Sequence, residues 1–299
     1  MTDTNFRSGF ISVIGRPNSG KSTLINTMIG EKAVITSDKP QTTRNNIRCV
    51  LNGEDYQIVF VDTPGIHKPK HKLGEKMLAA AERSLNEMDL ILLIVDASVA
   101  FGKGDKMLAE KLSKVSSPVF LVMNKMDKTD FGTAKLKADR LLEIFLPTQV
   151  YYISALAGLN VAELKRELLD YIYEGPQYFP PDQLVDQPEK FVVAELIREK
   201  LLKYTEQEIP HSIAVEITSL KERAERELVD IDAVIYVERS SQKRIVIGKG
   251  GNLLKKVGQE ARQEIENLLG IQVFLDLWVK EQKDWRNKER FLKELGYEV

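Results

Sequence analysis

The sequence has a single cysteine, Cys49, so no disulfide can form within the chain, and that usage suits a reducing cytosol. Its surroundings, NIRCVLN, alternate in the manner of a strand, which makes Cys49 a plain strand residue rather than a reactive thiol. An excess of either charge is also missing. The formal net charge is −1 over 299 residues, so composition as a whole does not advertise nucleic acid, and any basic surface has to be local. No long apolar run is present: the longest, LILLIVDA at 90–97, falls far short of the ~20 residues that a membrane span needs. The opening, MTDTNFRSGF, has neither the basic start nor the apolar stretch of a secretory signal. A cytosolic globular protein is expected, and its length sets an expectation of two domains.

Over residues 8–173, apolar runs at 9–15, 46–52, 56–63, 90–97, 118–125 and 150–154 alternate with helical patterns at 21–29, 73–87, 104–115, 133–145 and 160–172. Continuous apolar strands separated by amphipathic helices imply a mainly parallel sheet with helices on both faces. The loop LNGEDY is too short for a helix, so the second and third strands are expected to form an antiparallel hairpin. Ligands of such sheets sit at the carboxyl ends of the strands, and four motifs fall there.

GRPNSGKST brings together Gly15, Arg16, Pro17, Asn18, Ser19, Gly20, Lys21, Ser22 and Thr23 between a strand and a helix. It fits the phosphate-loop pattern, in which backbone N–H groups wrap a β-phosphate, Lys21 reaches between the β- and γ-phosphates, and the Ser22 hydroxyl ligates Mg²⁺. VDTPG ends the third strand; Asp62 can hold Mg²⁺ through a water, the Gly65 N–H can meet a γ-phosphate, and Thr63, Pro64 and Ile66 flank them. NKMD, from Asn124 through Lys125 and Met126 to Asp127, selects the base. A carboxylate accepts two parallel hydrogen bonds from guanine, whereas adenine offers no such pair and would leave it unpaired. The run Ser154, Ala155 and Leu156 can add a backbone N–H to the guanine oxygen. Together these elements resemble the GTPase superfamily, which implies a GTPase that binds GTP and GDP, with Lys21, Thr43, Asp62 and Gly65 at the reacting phosphate. A switch threonine should join Ser22 and Asp62 at the metal. QTTRNN offers Thr42 and Thr43, and resemblance to related bacterial GTPases favours Thr43, with Thr42 the alternative. Ile66 stands where Ras-like enzymes carry a water-orienting Gln, so slow intrinsic hydrolysis is expected. The resemblance also implies K⁺ beside Asn18 in some members. HKPKHKLG at 67–74 reads as a solvated loop.

Residues 173–190 gather four prolines and a glycine without an apolar period and read as an extended connector. The expected boundaries are 1–175 for the GTP-binding domain, 176–190 for the linker and 191–299 for an α+β domain. In that last part a helix at 189–204 precedes strands at 211–220, 231–240 and 243–248, a helix at 251–269, a strand at 271–280 and a helical tail. Between the third strand and the following helix lies Gly248-Lys249-Gly250-Gly251, the Gly-x-x-Gly loop of KH domains, which clamps about four nucleotides of a single strand. From Arg239 to Lys256 there are six Lys/Arg and no Asp or Glu, a phosphate-facing stripe in a chain of nearly zero net charge. The expected RNA contacts are Lys243, Arg244, Ile247, Gly248, Lys249, Gly250, Gly251, Asn252, Lys255 and Lys256. Phe274 is the only aromatic within 240–277, so recognition there would rest on hydrogen bonds and groove shape rather than stacking.

The full set of motifs resembles the TrmE–Era-type GTPases, and among them the Era branch, in which a GTPase domain is followed by a C-terminal KH domain. That resemblance covers essentially the whole chain. It implies an α/β P-loop domain followed by an α+β KH-type domain, and a GTP-dependent factor in 16S rRNA processing and assembly of the small (30S) ribosomal subunit. It further implies single-stranded RNA near the 3′ end of 16S rRNA as partner and, more loosely, peripheral membrane contact; Mg²⁺ is the expected cofactor, the cytoplasm the expected location, and nothing in the sequence demands more than a monomer. Ser19 stands where the family often has Val, and WVKEQKDWR is less basic than the family pattern.

Overall fold

Apolar runs without alternation become strands buried on both faces. The computed structural model describes residues 6–65, 69, 71–83, 85, 88–223 and 227–297. They divide into two units, residues 1–69 with 74–186 and residues 187–298 with 70–73. The first unit runs β1 (Arg7–Gly15), α1 (Lys21–Ile29), β2 (Ile47–Asn52), β3 (Tyr56–Asp62), α2 (Lys72–Arg83), β4 (Leu90–Asp96), α3 (Lys103–Leu112), β5 (Val119–Asn124), α4 (Phe131–Leu142), β6 (Gln149–Tyr152), α5 (Val161–Leu168) and β7 (Tyr173–Glu174). The sheet order is β2-β3-β1-β4-β5-β6, with β7 antiparallel to the start of β1. β2 and β3 form the expected antiparallel hairpin, and the other neighbours along that path are parallel. Residues 90–95 of β4 and all of β5 are buried, as helices on both faces require. The register sets Val13 against Asp62, Gly15 against Ile94 and Asp96 against Asn124, so the motif-bearing strand ends lie along one rim.

The proline-rich segment is extended and fixed to this unit. The N–H of Val50 donates to the Leu184 carbonyl (2.8 Å) and that of Asp186 to the Arg48 carbonyl (2.9 Å), so the segment lies along the free side of β2. Gln57, fully buried, accepts from the N–H groups of Tyr178 (2.9 Å) and Phe179 (3.0 Å) and donates to the Phe179 carbonyl (2.9 Å). Gln57 thus satisfies the backbone at 178–179, while β2 and the Asn52 side chain partner the residues from 181 to 186.

The second unit runs α6 (Glu189–Tyr204), α7 (Ile209–Ser212), β8 (Ala214–Glu222), β9 (Leu228–Val237), α8 (Ser240–Ile247), α9 (Asn252–Leu269), β10 (Gln272–Glu281) and α10 (Glu289–Glu294). Its sheet order is β10-β9-β8, parallel between β10 and β9 and antiparallel between β9 and β8. One expectation is corrected: 243–248 is not a third strand but the body of α8. The β-branched run Ile245-Val246-Ile247 suggests a strand, yet the buried positions are Gln242 and Val246, one helical turn apart. Gln242 Oε1 also accepts from the N–H groups of Glu238 (3.0 Å) and Arg239 (3.2 Å), fixing the helix start. Trp285 is wholly buried, its indole N–H donating to the Ser212 carbonyl (2.8 Å), and its ring stacks with Tyr297. The tail aromatics therefore pack this unit, while Phe274 and Trp278 on β10 remain exposed.

Candidate functional site

The loop from Gly15 to Lys21 joins the buried end of β1 to the first turn of α1, so its backbone is held at both ends. Lys21 lies inside the loop, its Nζ donating to the carbonyls of Arg16 (3.2 Å) and Gly15 (3.5 Å). Burial pushes its ammonium below the usual lysine range, and the Asp62 carboxylate opposes that shift. Burial pushes Asp62 upward, against Lys21 and the hydroxyls of Ser22 and Thr43. Asp62 Oδ2 accepts from Ser22 Oγ (2.7 Å) and Thr43 Oγ1 (3.1 Å), and the two hydroxyls are 3.2 Å apart. Asp62 Oδ1 is buried with no hydrogen-bond partner. Thr42 turns elsewhere and donates to the Lys39 carbonyl (2.6 Å). Two hydroxyls and a carboxylate with an unused buried oxygen form a set of hard donors of the kind Mg²⁺ takes.

Gly65 approaches the phosphate loop closely: a Cβ there would lie 2.6 Å from the Pro17 nitrogen. Thr63 is buried, with its hydroxyl donating to the Val13 carbonyl (2.8 Å), so it braces β3 against β1. Asn18 donates its side-chain amide to the Asp38 carbonyl, which ties the loop to the segment carrying Thr43. Ser19 is buried. Arg16 turns away to pair with Asp105 (3.0 Å), at the start of α3. Ile66, with His67, Lys68 and Lys70, lies outside the described residues.

The base loops are clamped before any ligand is considered. Asn124 donates to the Ser19 carbonyl (2.8 Å) and accepts from the Ala155 N–H (2.9 Å), linking the phosphate loop to residues 154–156. Lys125 reaches the Asn18 carbonyl and Asp96 Oδ2, each at 2.6 Å. Asp127 Oδ1 accepts from Ser154 Oγ (2.5 Å). Met126 is half-buried and packs on the core behind β5, while Leu156 is exposed. Sequence reasoning missed Asp96 and Asp105. The end of the apolar run LILLIVD on the strand next to β1 was the available signal for Asp96; nothing local marked Asp105.

In the second unit, Gly248, Gly250 and Gly251 all have positive φ, and a Cβ on Gly248 would fall 2.7 Å from that of Leu253. The loop connects two helices, not the strand and helix expected, and its last residue opens a cleft of about 400 Å³ between α9 and β10. Lys255 lines that cleft together with Leu254, Gly258, Arg262 and Phe274. Of these the sequence reading named only Lys255 among the RNA contacts; the others became visible once β10 was set beside α9. Lys256 instead sits over the Tyr204 ring (4.3 Å). Lys243, Arg244, Ile247, Lys249 and Asn252 surround the loop rather than line the cleft. Among the described residues no cluster of three or more His, Cys, Asp or Glu could hold a metal, and no helix is long and apolar enough to cross a membrane.

Family models match residues 10–125 as a 50S ribosome-binding GTPase and residues 208–286 as a KH domain. The chain is 53% identical to the GTPase Era of Alkaliphilus metalliredigens, over 98% of this chain and 100% of the relative. It is 51% identical to that of Alkaliphilus oremlandii, over 98% and 99%. Among solved structures it is similar to an Aquifex aeolicus Era variant bound to GDP and aluminium fluoride (TM-score 0.93) and to Era in complex with MgGDPNP and nucleotides 1506–1542 of 16S ribosomal RNA (TM-score 0.94). Each is 38% identical and covers 98% of this chain and 100% of the other.

Proposed function

Since the chain belongs to the Era family of GTPases, we propose that it hydrolyses GTP at the rim of the first unit and holds the 3′ region of 16S rRNA, as a single strand, at the Gly-x-x-Gly loop of the second. The observation that carries the reading is the meeting of Ser22 and Thr43 on Asp62 beside Lys21, in one rim with Asp127. Loop N–H groups and Lys21 receive the β- and γ-phosphates, and the Gly65 N–H meets the γ-phosphate. Ser22, Thr43 and Asp62 are the residues that would hold Mg²⁺, which would offset charge on the phosphates. Asp127, oriented by Ser154, accepts the two guanine N–H groups. Ala155 already spends its N–H on Asn124, so the N–H of Leu156 is the donor left for the guanine oxygen. Ile66 offers no hydrogen bond to the attacking water, and slow intrinsic hydrolysis follows. K⁺ beside Asn18, whose amide nitrogen is engaged while its oxygen is a hard donor, is part of the same proposal.

The RNA site takes its backbone at residues 248–251 and its bases along α9 and β10. The protein works as a monomeric, cytoplasmic assembly factor for the 30S subunit, with contact to the membrane surface only peripheral. Nucleotide state sets RNA affinity through the segments around 36–46 and 66–74. The test is binding of the 3′-terminal segment of 16S rRNA to GTP-loaded and GDP-loaded protein at one salt concentration. Tighter binding in the GTP form is expected; equal binding in both overturns the coupling, and no binding in either removes RNA from the proposal.

A further inference from the structure

The main sheet has two edges, and they differ. β2 is covered along its free side by residues 181–186. β6, at the other edge, pairs among the described residues only with β5. An uncovered edge strand offers a row of backbone N–H and C=O groups to any extended chain. Here a cleft of about 560 Å³ lies against it, lined by all four residues of β6 and by Met126, Phe131, Leu159, Asn160, Glu163 and Glu167.

The two flanks of this edge are chemically different, because successive side chains of a strand point to opposite faces. Tyr152 stands on the α4 side, its ring 4.8 Å from that of Phe131, which is 58% exposed. Tyr151 stands on the α5 side, where burial and the neighbouring carboxylates of Glu167 and Glu163 hold its phenol protonated to about pH 12. The cleft lining contains two carboxylates and no lysine or arginine. Asn160 donates to the Tyr152 carbonyl (2.8 Å), closing the carboxyl end of the strand. One flank thus presents the exposed Phe131 ring, with the mutually paired Lys135 and Asp139 beyond it, and the other flank is acidic.

We propose that β6 is a docking edge for an extended segment of a protein partner in which apolar and basic residues alternate. Its apolar side chains fall beside Phe131 and its Lys or Arg side chains beside Glu163 and Glu167, while its backbone pairs with Gln149–Tyr152. The alternation follows from the strand itself: the same two-residue period that separates Tyr151 from Tyr152 sorts the incoming side chains between the two flanks. A nucleic acid is disfavoured, because its phosphates would meet the two glutamates. The cleft touches the base-selecting motif only at Met126, and shares no residue with those assigned to phosphate, Mg²⁺ or the Gly-x-x-Gly loop.

The test uses the whole protein and a fluorescein-labelled peptide, Gly-Lys-Val-Lys-Val-Lys-Val-Lys-Gly, with anisotropy read at one fixed salt concentration. Saturable binding is expected, with slowed hydrogen exchange at residues 149–152. E163Q/E167Q should weaken it about three- to tenfold, as loss of two exposed charge pairs allows. Its GTPase rate should stay unchanged, which also reports that it folds. A peptide of equal charge with proline for the central valine, lacking that N–H, should lose most of the binding. Equal binding of the proline peptide, an unaffected double variant, protection confined to other segments, or no saturable binding each overturns the proposal. Self-association of the protein that E163Q/E167Q abolishes would assign the edge to a second copy and overturn it too.

Discussion

Thr42 and Thr43 are neighbours of the same type, and local pattern does not tell them apart. Their difference is tertiary: Thr43 meets Ser22 and Asp62, while Thr42 closes a turn on the Lys39 carbonyl. Under the proposed roles, Thr43→Ala should slow single-turnover GTP hydrolysis by about 10²-fold, the scale of losing one group at developing charge. Thr42→Ala should stay close to wild type, and the reverse order would reassign the metal-binding threonine. Lys125 shows the same limit from another side: its place in NKMD was readable, but its partner Asp96, on the neighbouring strand, was not. A titration belongs to this scale as well. Burial and Glu167 hold the Tyr151 phenol up to about 12, so the folded state keeps the proton where an unfolded chain would release it near 10. Its contribution to stability is therefore complete below pH 10 and is lost as pH rises toward 12. Urea midpoints measured from pH 9 to 11.5 should fall more steeply for wild type than for Tyr151→Phe.

At the scale of elements, periodicity served long segments and failed a short one. β4 and β5 are apolar on both faces and their nature was plain in the sequence, as was α6, read at 189–204 and found there. Residues 243–248 are too few for a period of 2 to be told from 3.6, and their β-branched composition pointed the wrong way. What decided the matter was Gln242, whose side chain satisfies the N–H groups of Glu238 and Arg239. Gln242→Ala should cost about 1 kcal/mol of stability in this unit, the usual worth of a helix start, measurable by denaturant unfolding. The proline-rich segment was readable as extended, yet nothing in its own composition told that Gln57 would hold it. Gln57→Leu leaves the N–H groups of Tyr178 and Phe179 without their acceptor, at about 1–3 kcal/mol each. Limited proteolysis should then cut within 176–186 well before the wild-type protein is touched.

At the scale of the whole molecule, the order of motifs carried most of the information: strand, phosphate loop, hairpin, Asp-x-x-Gly, Asn-Lys-x-Asp, then a second unit around a Gly-x-x-Gly loop. Each motif alone is a short pattern, and their spacing along one alternating chain made the fold class legible. The cleft between α9 and β10 was less so: Gly258 and Arg262 lie on α9 and Phe274 on β10, and only the packing of that helix against that strand brings them to one cleft. The two proposed ligand sites lie in different units, so their lesions should separate. Gly250→Asp places a carboxylate, and a side chain at φ 61°, in the RNA loop, and should reduce RNA affinity at least tenfold while leaving GTP hydrolysis unchanged. Thr43→Ala should slow hydrolysis and, because Thr43 lies in the segment proposed to couple nucleotide to RNA, should also narrow the difference in RNA affinity between the GTP and GDP forms while leaving RNA binding by the GDP form unchanged. Loss of GTP hydrolysis in Gly250→Asp, or of RNA binding by the GDP form in Thr43→Ala, would mean that the sites cannot be read independently.

The lone cysteine gives the experimenter something the protein has no evident use for. Cys49 is fully buried in β2, bridged to Val185 of the segment that covers that edge, and its thiol is pushed well above the ordinary range first by burial and then by the Asp62 charge. A maleimide or iodoacetamide can reach it only in a molecule that has opened, and every labelled molecule gains one adduct at one position. The unmodified chain is thus its own clock: the rate at which intact mass increases, with and without Gln57→Leu, times the lifting of that edge without any engineered probe.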